Sequence, residues 1–275
     1  MGGFPAAMTH QTFDLQSHST CSDGTLAPRE VVQRAARAGV RRLALTDHDT
    51  VAGVSAAVDA GRELGIAVVP ALELSSVGAG HEDLHILGYG LDHRDPAFLR
   101  TLEDFRGDRV RRIFAMADRL EEAGLELDRS RFEGREAPGR PHLADAIRGT
   151  GLTRDELFAR YLVPGTLTYV GRTHPTVAEA IEVIHRAGGV AVWAHPFWDL
   201  DDLGGTLDEF EGLDGVEAFY VTHTEEQTRE LYAEASRRGL LTTGSSDFHG
   251  PEHERFNRFL AFETYDLTPT LGPIG

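Results

Sequence analysis

Short apolar runs, each lying close to a histidine or a carboxylate, alternate with helical stretches along most of this chain. Residues 41–46 read as a buried strand, following a helix opened near Pro28 and closed at Gly39. Proline suits the first helical turn and glycine the left-handed turn that ends a helix. Thr50 is placed to cap a second helix over 51–64. Further strands are expected at 66–75, 84–91, 190–194, 216–220 and 240–245, and helices at 176–187 and 225–238. Strands that alternate with helices predict an α/β fold built on a parallel sheet or barrel and argue against an antiparallel sandwich.

The rhythm changes near Asp95. Residues 96–135 read as one or two long helices, with Phe98, Leu102, Phe105, Val110, Ile113, Met116 and Leu120 at roughly helical spacing. Shorter helical pieces follow around 142–148 and 153–162. Of the net charge of −17, segment 96–172 contributes +1 and the remainder −18. The expected organisation is therefore an acidic βα body over 12–95 and 173–265, interrupted by an arginine-rich helical insertion over 96–172.

Composition excludes several function classes. A charge of −17 is the wrong sign for neutralising duplex phosphates, although bound cations can reverse the local field for a small phosphorylated substrate. All basic residues are arginine, so a Schiff-base lysine and a P-loop lysine are both ruled out. Cys21 is the single cysteine and has no internal disulfide partner. No apolar run approaches the ~20 residues of a membrane span. Residues 1–11 lack the basic and apolar regions of a signal peptide, and Met8 reads as an alternative start. The expected location is cytoplasmic.

The placement of chemistry is the sharper signal. Gln16, His18, Asp23, Asp47-His48-Asp49, Glu73, His85, His195, Asp247 and His249 all fall at or near strand ends. In parallel α/β folds these ends form one face, where active sites assemble. On an extended strand, residues i and i+2 share a face, so Gln16/His18 and Asp247/His249 are each expected to act as a pair. Imidazole with carboxylate suits Zn, Mn or Fe, and Glu73 is suited to bridging two ions. One match is misleading. His81-Glu82-Asp83-Leu84-His85 reads as H-E-x-x-H, but that zinc-protease signature requires a helix, and this segment runs into the β-like Ile86–Tyr89. His85 is retained as a strand ligand, and His81 is expected in a loop.

Asp14-Leu-Gln-Ser-His-Ser-Thr-Cys-Ser-Asp-Gly24, Thr46-Asp-His-Asp-Thr50, Ala194-His-Pro196 and Ser246-Asp-Phe-His249 resemble, in order, four motifs of the PHP (polymerase and histidinol phosphatase) family. The resemblance covers 12–95 and 174–250. It implies a distorted (βα)7 barrel with two or three divalent ions, Mn, Zn or Fe. The implied ligand sets are Gln16, His18, Glu73 and Asp247 for one metal, Glu73, His85 and His195 for a second, and Asp23, His48 and His249 for a third. Gln16 departs from the family's usual histidine. An amide oxygen is a neutral, weaker ligand that favours a hard ion such as Mn; alternatively Gln16 stands behind the ligands and water completes the site.

Within the insertion, Gly139-Arg-Pro-His-Leu-Ala144 and Thr168-Tyr-Val170, with Ala180–Gly189 beyond it, resemble the nucleotide-acting branch of the family. That branch comprises nucleoside-3′,5′-bisphosphate phosphatases, AMP phosphatases and a 5′→3′ exoribonuclease. The implied activity is phosphoester hydrolysis by a metal-activated water on a nucleotide or short oligonucleotide. Arg140 and His142 are expected to contact substrate, with His223 or His195 as proton donor to the leaving alcohol. The remaining alternatives are a histidinol-phosphate phosphatase and a non-catalytic metal-binding module. His10, His93, His174, His185 and His253 are expected to be surface or structural residues. Oligomeric state is not encoded in these features.

Overall fold

In the computed structural model of the protein, residues 12–78, 80–198, 200 and 202–275 are described. The expectations for residues 1–11, including His10, lie outside them. The strands are β1 (Phe13–Asp14), β2 (Arg42–Leu45), β3 (Ala67–Gly78), β4 (His81–Tyr89), β5 (Glu126–Leu127), β6 (Ile147–Arg148), β7 (Val190–Trp193), β8 (Gly215–Tyr220) and β9 (Leu241–Ser245). Seven of them form one sheet in the order β1-β2-β3-β4-β7-β8-β9, and β5 and β6 form a separate ribbon. The sheet nearly closes on itself: Leu15 N donates to Gly244 O at 3.2 Å and His18 N to Phe248 O at 2.8 Å. This is a distorted (βα)7 barrel.

One strand departs from the parallel expectation. β4 runs antiparallel to both β3 and β7. The link between β3 and β4 is too short to hold a crossover helix, so the chain must reverse. His85 consequently sits inside a strand, opposite Ser75, and His81 opens the same strand instead of lying in a loop.

The helices are α1 (Pro28–Ala38), α2 (Val54–Leu64), α3 (Pro96–Glu122), α4 (Arg140–Ala146), α5 (Arg154–Leu157), α6 (Val177–Arg186), α7 (Leu203–Glu209) and α8 (Glu225–Arg238). Capping boxes open α6 at Thr176/Glu179 and α8 at Thr224/Gln227, satisfying free N–H groups in the first turn. Thr50 does not cap α2, which starts after Gly53; its hydroxyl instead binds Glu136 at 3.1 Å. The long helix ends at Glu122, well before residue 135. Gly124 follows in the left-handed region at φ 86°. No membrane-crossing helix occurs among the described residues.

Leu15, Ala44, Ala71, Leu87, Tyr89 and Val192 cluster inside the barrel, where Tyr89 Oη donates to Leu15 O at 2.9 Å between strands that are not neighbours. A second core joins α6, α7 and α8 to the sheet. A further cluster draws only on residues 113–170, among them Ile113, Met116, Leu120, Phe132, Leu143 and Leu162. Each such side chain contributes roughly 1.5–3 kcal/mol on burial.

Candidate metal centre

The strand ends and the loops after them bring the chemistry together. Three non-glycine residues near these ends take left-handed backbone: Asp49 at φ 54°, His195 at φ 32° and Asp247 at φ 52°. Such conformations cost energy and persist where packing enforces them. The kink at Asp247 means that Asp247 and His249 do not share an extended face; they converge because the backbone turns. The loop after β1 is tied down by Asp47, which accepts from Ser19 N, Ser19 Oγ and Ser22 Oγ, each at 2.7 Å.

Glu73, on β3, is the centre. Its Oε1 lies 2.6 Å from His85 Nδ1 and 3.2 Å from His195 Nε2. Its Oε2 lies 3.1 Å from His18 Nε2 and 3.7 Å from His48 Nδ1. His18 Nε2 also meets Asp247 Oδ1 at 3.1 Å. Asp23 faces His48 Nε2 at 3.6 Å and His249 Nε2 at 3.4 Å. Three overlapping groups result: His18, Asp23, His48 and His249; His48, Glu73 and His85; and His18, Glu73 and Asp247. His195 joins through Glu73 and through His85, 3.2 Å away.

The electrostatics match a cation site. Burial opposes ionisation of Glu73 and Asp23, but the surrounding histidines hold both well below the usual carboxylate range. Burial pushes His48 down to about 3, keeping it neutral, the form that ligates. Three buried ligand atoms, His18 Nε2, His48 Nδ1 and Asp247 Oδ1, lie within ion-pair distance of one another or of Glu73 but are not angled to hydrogen-bond. Leaving such atoms unsatisfied costs about 1–3 kcal/mol each. Carboxylates and imidazoles converging on shared points are the donor set of a divalent ion, and the cluster is a divalent-metal site.

Above the cluster lies a cavity of about 510 Å³, lined by Asp23, His48, Glu73, His85, His195, Asp247 and His249. Arginines also line it, and Arg140 is among them, paired with Asp83. Arg109, Arg112 and Arg172 were not expected there from sequence. Arg109 donates to Asp49 Oδ2 at 2.7 Å and Ser75 Oγ at 2.9 Å, and burial draws Arg172 down to about 10. Arg112 Nη2 and Arg172 Nε have no hydrogen-bond partner among the described residues. On α3, Arg109 and Arg112 lie on the buried face of the helix; a buried arginine at helical spacing was the available signal.

Two expected substrate contacts, His142 and His223, are not among the residues that line the cavity. His142 is buried in α4, where Gly139 N donates to its Nδ1 at 2.9 Å, and burial drives it to about 4. It caps the helix and does not line the cavity. His223 is also buried and outside the lining; its Nδ1 binds Ala218 O at 3.2 Å, and its ring lies against Phe197 and Tyr220. His253, expected to be peripheral, does line the cavity, stacked on Phe256 and 5.3 Å from the His249 ring. Gln16 reaches the cluster through its amide nitrogen, 3.0 Å from Glu73 Oε2, and not through the oxygen a ligand would use.

Comparison with known proteins agrees with this geometry. The PHP domain family matches residues 14–191. A 3′,5′-nucleoside bisphosphate phosphatase of Chromobacterium violaceum is 35% identical, over 95% of this chain and 94% of its own. A 5′-3′ exoribonuclease of Haemophilus influenzae is 34% identical, over 87% of this chain and 90% of its own. A crystal structure from Bifidobacterium adolescentis, assigned as a metal-dependent phosphoesterase, superposes with a TM-score of 0.78 at 31% identity, covering 92% of this chain and 93% of that one.

Proposed function

The chain belongs to the PHP domain family, and on that premise we propose that it is a metal-dependent phosphoesterase hydrolysing 3′,5′-bisphosphate nucleotides, AMP or the 5′ ends of short RNA. The carrying observation is one cavity lined both by a histidine–carboxylate cluster and by buried arginines. The ligands are those named from the sequence: His18, Asp23, His48, Glu73, His85, His195, Asp247 and His249, with the role of Gln16 taken up below. When bound, about two or three divalent ions, Mn favoured over Zn or Fe, supply a water activated near neutral pH and offset the phosphate charge.

The protein's own residues do the rest. Glu73 holds the two halves of the cluster together through its separate oxygens. Arg140 and Arg112 present guanidinium to the substrate phosphate, the geometry that recognises phosphate oxygens in pairs. His195 lines the cavity and, where no ion engages its ring, is the group placed to protonate the leaving alcohol. The insertion over 96–172 covers the cluster and shields it from bulk solvent. The cavity lies within the roughly 300–1,000 Å³ range of small-molecule sites, which with the charge of −17 favours small substrates over long RNA.

The test is phosphate release from 3′,5′-bisphosphoadenosine, AMP and histidinol phosphate, and mononucleotide release from a 5′-phosphorylated oligonucleotide, with added Mn. Release from a nucleotide is expected, with His249→Ala reduced at least about 100-fold. No release from any substrate sinks the enzyme reading, and preference for histidinol phosphate overturns the substrate class.

A further inference from the structure

Gln16 is completely buried, two residues before His18. Its Nε2 donates to Glu73 Oε2 at 3.0 Å. Its Oε1 points the other way, accepting from the Ser245 hydroxyl at 3.3 Å, an oxygen that also lies 2.6 Å from Glu217 Oε1. The orientation of the amide follows from its neighbours. An ionised carboxylate only accepts, so turning the amide over would set oxygen against oxygen at that same contact with Glu73. The pole that Gln16 presents to the cluster is an N–H donor, which cannot ligate a cation. Beside this residue, His18, Glu73 and Asp247 place donor atoms together.

We propose that Gln16 is a positioning residue, an amide strut between Ser245 and Glu73, and that the metal position beside it is held by three protein donors, His18, Glu73 and Asp247. This rests on the metal-dependent reading above. A strut of this kind fixes the torsion of the carboxylate shared between the two halves of the cluster, as groups behind metal ligands commonly do. It also leaves that ion one protein ligand short, so a coordination position stays open for solvent or substrate oxygen, the arrangement of catalytic and not of structural sites.

Two measurements test it, neither of them activity. The first is a crystal structure of the Mn-loaded wild-type protein, with ions located by anomalous scattering. Gln16 Oε1 is expected to lie more than about 3 Å from every ion; a separation of about 2.0–2.4 Å overturns the proposal. The second is Mn titration of Gln16→Glu, with free Mn followed by electron paramagnetic resonance. A strut reversed into an acceptor faces the carboxylate of Glu73, so affinity at one ion is expected to fall at least about tenfold. Tighter binding, as a charged ligand replacing a neutral one would produce, overturns it. Wild-type protein that retains no ion after loading sinks the metalloenzyme reading itself, whereas a loaded wild type with Oε1 bound to an ion sinks only the strut.

Discussion

Gly24 shows how narrowly the cluster depends on individual residues. A Cβ at this position would stand 2.3 Å from His18 O, 2.5 Å from His18 C and 2.7 Å from Ser19 N. All three are backbone atoms, so no side-chain rotation relieves the clash. The turn between His18 and Asp23 can close only around a hydrogen. Gly24→Ala is expected to destabilise the protein by about 1–3 kcal/mol and to lower bound metal, because His18 and Asp23 both move. Calorimetry with elemental analysis checks this; wild-type metal content in the variant would show that the turn tolerates the side chain.

At the scale of elements, α4 illustrates a histidine whose work is structural. His142 accepts the Gly139 N–H through Nδ1, which requires the neutral ring. Its folded pKa, about 4, lies below the ordinary 6.5. In the window between those values the unfolded chain binds the proton and the native state does not. The sign follows: the contribution is fully present above about 6.5, is lost as pH falls toward 4, and amounts to at most roughly 3 kcal/mol. His142→Asn, which retains a side-chain acceptor but does not titrate there, is expected to flatten that part of the stability–pH curve. Urea unfolding at several pH values measures it, and an unchanged slope would assign the titration to other groups. The antiparallel β4 is the other lesson at this scale, since a short hairpin link, and not strand composition, reverses the strand that carries His85.

For the whole molecule, stability and metal content are linked. Three carboxylates of the cluster, Asp23, Glu73 and Asp247, are buried together among its histidines. An ion that binds only the folded state stabilises by RT ln(1 + [L]/Kd), about 2.7 kcal/mol at a hundredfold excess over Kd. Chelation is therefore expected to lower Tm by several degrees, and added Mn to restore it. A Tm indifferent to chelator would show that the bare cluster is already compensated by its own protons. We propose that 96–172 behaves as a unit joined to the barrel through ion pairs such as Arg109–Asp49, because it holds a core drawn from its own residues.

Reading along the chain identified the βα alternation, the interruption at Asp95 and the convergence of histidines and carboxylates, because each is carried by local periodicity or by residue type at a strand end. Four motifs in order carried the family. The three-dimensional structure decided what depends on neighbours distant in sequence. It put Arg109, Arg112 and Arg172 at the cavity, left His142 and His223 out of its lining and brought His253 into it, since the placement of a side chain follows from the packing of its element and not from its residue type. It also aimed the amide of Gln16 at Glu73, fifty-seven residues away. The residue type announced an anomaly there; only the acceptor on one side and the hydroxyl on the other determine which end of the amide faces the metal site.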